Sequence, residues 1–205
     1  MTRNHSRHRH QPWSLLSVLL ALVLMFDSRP SQAGSMEPMP LKGSFSLIDE
    51  QGARKRLEDY RSTFLLVYFG YTYCPDVCPT NLEIIARVLK LLSAEDAARV
   101  TPLFVTVDPE RDTPAQLKDF TAAFDPRLVG LTGTEEEIRQ AAKTFAVYYA
   151  KAPVDPKKTN DPKAYLVDHS SSTYLLDDAG RMVALFSHAT APEVMAKEIK
   201  KQLHP

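Results

Sequence analysis

The sequence predicts an α/β fold of three layers, with a central mixed β-sheet and an N-terminal hairpin. Three observations carry this. Two largely apolar runs, Phe64–Gly70 and Leu103–Val107, suit strands covered on both faces. Apolar stripes at helical spacing follow each of them, as in Leu82, Ile85, Leu89 and Leu92. The chain then closes with a second hairpin and a last helix, the order expected of helices packed on both faces of a mixed sheet.

Taken in order, the first residues stand apart. Arg3, Arg7 and Arg9 precede an uncharged stretch from Trp13 to Phe26, and Ser31-Gln32-Ala33 offers small residues at a cleavage spacing. A bilayer span needs about 20 residues, so this stretch suits a signal-peptide core. Residues 1–33 are therefore expected to be a signal peptide or, as the alternative, an uncleaved N-terminal membrane anchor. Either leaves the folded part outside the cytoplasm, periplasmic or on the outer face of the inner membrane, because the arginines stay inside. His5, His8 and His10 lie in this leader and are discounted as a metal cluster.

Residues 34–42, with two prolines, are expected to be a flexible spacer, and residues 43–205 one domain. Ser44–Leu47 alternates and Asp49-Glu50-Gln51-Gly52 turns, which makes a hairpin. After Phe64–Gly70, Pro79 suits the first turn of a helix. Thr113 with Gln116, Thr134 with Glu137 and Thr190 with Glu193 have capping-box spacing and are expected to open three more helices. Pro153–Lys163 is expected to be a solvated loop. Tyr165–Asp168, Thr173–Leu176 and Met182–Phe186 are expected to be extended, the last two joined by the turn Asp177-Asp178-Ala179-Gly180. A cysteine pair at the end of the first βα unit suits a thioredoxin-like fold.

Lysine plus arginine and aspartate plus glutamate balance at 25 each, so no basic field points to nucleic acid. There is no internal repeat, and Gly130-Leu131-Thr132-Gly133 is too short for a phosphate loop. The two cysteines, Cys74 and Cys78, carry any thiol chemistry. They fall where a helix N-terminus presents unpaired N–H groups and favours a thiolate. Their three-residue gap, stiffened by Pro75, departs from the usual two-residue redox spacing, and positions i and i+4 at a helix start point to the same side. A structural disulfide is the plain alternative in an exported protein, but so short a loop gains little from a bridge. Thiolates are soft donors that select Cu(I) or zinc, and a structural zinc site wants four ligands.

Of the histidines beyond the leader, His204 is next to the C-terminus and is expected to fray, and His188 to lie on the surface. His169 stands in the connection between two predicted strands that should border the first βα unit. By itself it reads as an ordinary loop histidine, but with the two sulfurs it makes a three-donor set suited to copper in either oxidation state. Met36 and Met39 could act as transient soft ligands, although linker methionines are usually incidental. Tyr68, Tyr71 and Tyr73 read first as packing, with Tyr71 or Tyr73 able to shield a metal. Arg111 and Asp112 read as helix-capping or mutually paired surface charges.

Four segments in this order resemble the Sco/SenC family: Gly70-Tyr71-Thr72-Tyr73-Cys74-Pro75-Asp76-Val77-Cys78-Pro79-Thr80, Val107-Asp108-Pro109-Glu110-Arg111-Asp112-Thr113-Pro114, Gly130–Gly133, and Val167-Asp168-His169-Ser170-Ser171. The resemblance runs from about Lys42 to the C-terminus. It implies a thioredoxin-fold, copper-binding factor for the dinuclear copper centre of cytochrome c oxidase, with Cys74, Cys78 and His169 as copper ligands. Asp108 is implied to support the site or a partner contact. A copper metallochaperone is thus expected, monomeric, working on the copper-centre subunit of the oxidase and served by a copper donor and a periplasmic thiol reductase. The alternative is a thiol–disulfide oxidoreductase that reduces the cysteines of that subunit. A thiol peroxidase, with Thr72 and Arg111 beside the thiols, ranks below both.

Overall fold

The computed structural model describes residues 35–154 and 164–205; the predicted leader and most of the Pro153–Lys163 loop lie outside them. In chain order the strands and helices are β1 (Ser35–Pro40), β2 (Ser46–Asp49), β3 (Arg54–Arg56), β4 (Phe64–Gly70), α1 (Val77–Leu91), α2 (Ala94–Ala98), β5 (Val100–Thr106), α3 (Pro114–Ala122), β6 (Val129–Thr132), α4 (Glu135–Thr144), β7 (Tyr149–Pro153), β8 (Tyr165–His169), β9 (Thr173–Leu176), β10 (Arg181–Phe186) and α5 (Pro192–Leu203).

Every residue of β4 is buried, which is why its sequence has no polar alternation. It pairs in parallel with β5 and antiparallel with β9. The full sheet runs β1-β10-β9-β4-β5-β6-β2-β3, with β4, β5 and β6 parallel and the other pairings antiparallel. Successive side chains of β4 face opposite layers. Tyr68 stacks with Phe104, which meets Phe120 just within α3, and on the same face α1 brings Cys78 to Tyr68. Phe69 points the other way, onto Phe145 at the end of α4. α5 packs beside α1.

Thr113 and Thr134 cap α3 and α4 in closed capping boxes with Gln116 and Glu137. The last helix departs from expectation. Its cap is Ala191, and the Thr190 hydroxyl donates to the Ser187 carbonyl. Pro192 lacks the N–H and fixes its own φ, so it takes the first helical position and moves the start past the Thr190 box.

Two expectations are corrected here. Residues 35–40, placed in a flexible spacer, form edge strand β1 on β10. The free edge of β10 supplies the pairing, and an edge strand tolerates Pro38 and Pro40. β8, expected to run beside the first βα unit, pairs only with β7 among the described strands, in a separate two-stranded sheet. No described helix is long and apolar enough to cross a membrane.

Candidate metal centre

β4 ends at Gly70, and the chain turns through Tyr71–Pro75 into α1. Gly70 has a packing reason to be glycine: a Cβ there would lie 2.7 Å from Cys78 Sγ and 2.9 Å from Phe104 Cε2. Asp76 is the N-cap of α1, but its side chain makes no capping bond. The Cys74 sulfur accepts from the backbone N–H of Cys78 at 3.3 Å, so a thiol satisfies one of the orphan donors of the helix start.

Cys74 and Cys78 are both free and buried. The Cys78 thiol, then His169 and the backbone N–H groups of Cys78 and Asp76, hold Cys74 well below the ordinary thiol range, against the opposing effect of burial. Cys78 is pushed up by its hydrogen bond to Cys74 and by burial. The two thiols are thus driven apart, Cys74 the more acidic and Cys78 the less.

His169 ends β8 and brings Nε2 to 3.3 Å from Cys78 Sγ. Its Nδ1 lies 3.0 Å from the Ser170 carbonyl, which can only accept, so Nδ1 carries a hydrogen and Nε2 is the nitrogen that faces the sulfurs. That is how a metal-ligating histidine is usually oriented. Rings meet the imidazole edge-on from two sides, Tyr68 at 6.2 Å and Tyr71 at 5.9 Å. The donor atoms of Cys74, Cys78 and His169 all lie within 4.8 Å of one another. Two soft sulfurs and one imidazole nitrogen fit a copper ion. Above them opens a cleft of about 240 Å³ lined by Tyr71, Pro75, Val77 and Leu166.

Behind the sulfurs, Tyr68 is buried with its hydroxyl 3.8 Å from Cys78 Sγ, and Asn81 Nδ2 donates to that hydroxyl at 3.1 Å. Asn81 also approaches His188 Nδ1 at 2.9 Å. Sequence reasoning missed Asn81, although a polar residue three beyond Cys78, on the otherwise apolar stripe of α1, was a readable signal.

Asp108 does not touch the sulfurs. It is buried, and its carboxylate accepts from Arg111 Nε and from the Tyr165 hydroxyl at 2.7 Å. Asp112, expected on the surface, is fully buried; it accepts from the Thr72 hydroxyl and the Thr106 hydroxyl at 2.6 Å each and from the Thr72 N–H at 3.0 Å. With Thr72 bound to Asp112 and Arg111 to Asp108, neither donates to a thiol in the way a peroxidase would need.

His204, expected to fray, is bound to Asp96 at 2.8 Å. The register places Met39 against Met182, level with Leu65 and so at the end of the sheet away from the thiols. Met36 packs against the core. Neither reaches the three donors. Tyr73 is 55% exposed beside the site, whereas Tyr71 is buried.

A family model described as SCO1/SenC matches residues 33–204. The mitochondrial SCO2 homolog of Bos taurus is 40% identical over 163 residues, covering 79% of this chain and 59% of the relative; the chain thus spans about three-fifths of that relative's length. Among solved structures, Bradyrhizobium japonicum ScoI with copper bound is 40% identical, with a TM-score of 0.70 over 79% of this chain and 99% of that one. BsSco, a member of the Sco family of cytochrome c oxidase assembly proteins in which a disulfide switch was identified, is 26% identical, with a TM-score of 0.59 over 81% and 95% of the two chains.

Proposed function

Since the chain belongs to the SCO1/SenC family, we propose that it binds copper through Cys74, Cys78 and His169 and delivers it during assembly of the copper centre of cytochrome c oxidase. The observation that carries this is the convergence of two sulfurs and one imidazole nitrogen within 4.8 Å. The donor set suits the task. Sulfurs favour Cu(I), imidazole helps accommodate Cu(II), and three ligands leave a position for an incoming thiolate. Copper is here the cargo, passed on by ligand exchange through the cleft beside Tyr71 and Leu166. The copper-bound ScoI relative supports the metal, and the description of BsSco supports the oxidase.

The signal peptide or anchor over residues 1–33, and work outside the cytoplasm on the copper-centre subunit, belong to the same proposal. Mitochondrial relatives support it. Reduced protein titrated with copper against a mild chelator should bind about one equivalent; no binding overturns the reading. His169→Ala should weaken Cu(II) strongly, seen in absorbance and electron paramagnetic resonance, while leaving disulfide exchange largely intact.

A second reading, thiol–disulfide exchange with the target subunit, is favoured by the lowered pKa of the Cys74 thiol beside a less acidic partner. If His169→Ala protein still supports oxidase assembly fully, this reading replaces the first.

A further inference from the structure

The β7–β8 hairpin delivers the imidazole, yet its strands pair only with each other among the described residues. Side chains must therefore fix its height over the thiols. Tyr165, Val167 and His169 share one face of β8, with the exposed Leu166 and Asp168 on the other. Val167 is buried in the core. Lys151 pairs with Glu110 at 2.8 Å, but this pair is exposed and contributes little.

Tyr149 packs against the core, and Asn81 Nδ2 donates to the Ser171 carbonyl just beyond β8 at 3.5 Å. The attachment with the most contacts is Arg111. Its guanidinium carbon lies 3.7 Å from the Tyr165 ring centroid, 4.8 Å from that of Tyr73 and 5.7 Å from that of Tyr71. Nη1 donates to the Tyr165 carbonyl at 3.1 Å, and Nε to the buried Asp108 carboxylate, which also takes the Tyr165 hydroxyl. Nη2 is buried without a hydrogen-bond partner, so the group is arranged for contact with the rings rather than for complete polar pairing. A planar fork that donates in its plane and stacks on aromatic faces can do both at once, which an ammonium cannot.

We infer that Arg111 is a positioning residue for the imidazole: wedged between Tyr165 of the hairpin and Tyr73 of the thiol loop, and anchored on Asp108, it holds β8 where His169 Nε2 reaches the two sulfurs. The inference rests on the reading of Cys74, Cys78 and His169 as the copper ligands. Arg111 touches none of the three donors. It acts through Tyr165, on the same face of the same strand as His169.

The test compares reduced wild-type and Arg111→Met protein by backbone hydrogen exchange without metal, and by anaerobic titration with Cu(II) and with Cu(I) against a chelator. The variant should exchange faster over residues 149–153 and 165–169, with α1 unchanged. Its Cu(II) affinity should fall about 10- to 100-fold, the usual range for residues supporting a metal ligand. The nitrogen splitting in its resonance spectrum should weaken, and its Cu(I) affinity should stay near wild type. Should Arg111→Met fail to fold, Arg111→Lys, which keeps the charge but loses the fork, should show the same split in smaller measure.

Wild-type exchange together with a wild-type Cu(II) spectrum overturns the inference, as does an equal loss of both oxidation states. If wild-type protein itself binds no copper, the ligand reading falls, and the exchange comparison still decides whether Arg111 holds the hairpin.

Discussion

Cys78 lies fully buried in the first turn of α1, with Tyr68 and Gly70 of the central strand against it, whereas His169 closes a hairpin outside the eight-stranded sheet. The thiols are fixed by the same packing that stabilises the fold. The imidazole is fixed by a few side-chain contacts on tyrosines and an arginine. Interiors tolerate little displacement, while an appended hairpin has fewer contacts to lose. On the proposed reading, a copper carrier built this way would keep its soft donors constant, and the nitrogen would be the ligand more easily surrendered in transfer.

The harshest way to break that comparison is Cys78→Ser. The hydroxyl nearly preserves the volume but is a poor donor for Cu(I), so chelator competition should find Cu(I) binding abolished while the fold survives. Gly70→Ala comes next. Its methyl would push against Cys78 Sγ and Phe104, so urea unfolding should show a loss of about 1–3 kcal/mol. Copper affinity should then fall in both oxidation states, unlike the selective Cu(II) loss of His169→Ala.

A pH test separates the two sulfurs. Below about pH 8 an ordinary thiol loses its thiolate steadily, because its pKa is near 8.5. The lowered pKa of Cys74 favours its thiolate as the pH falls, and the raised pKa of Cys78 disfavours one on Cys78 itself. Alkylation near pH 6, mapped by mass spectrometry, should therefore mark Cys74 and spare Cys78; equal labelling would remove the asymmetry. The smallest effect is expected of His188→Ala. It removes a contact of Asn81 that lies behind the thiols, so copper affinity should be unchanged and thermal stability only slightly lower.

Much of this was legible locally. The apolar Phe64–Gly70 run, the capping boxes at Thr113 and Thr134 and the cysteines at a helix start all act over a few residues, and each was found where its pattern placed it. The edge strand at Ser35–Pro40 was not legible, because its pairing comes from β10, far along the chain. Asp112 and Arg111 were misjudged for the same reason. Charged residues in a Pro-rich loop look solvated until Thr72, Thr106 and Tyr165 are brought around them.

The sequence by itself determined the two soft donors, their common side of a helix start and the family motifs around them, since covalent spacing and helix geometry suffice for that. The motif around His169 also pointed to the nitrogen, but only the tertiary structure decided how it reaches the sulfurs and how it is held. His169 is 91 residues from Cys78, and their approach depends on the docking of a hairpin whose anchors, Tyr165, Arg111 and Asp108, come from segments that meet only in the folded chain. Short-range patterns record the hydrogen bonds and burial of one element at a time. Contacts between elements are set by the packing of all of them together, and no local pattern carries that information.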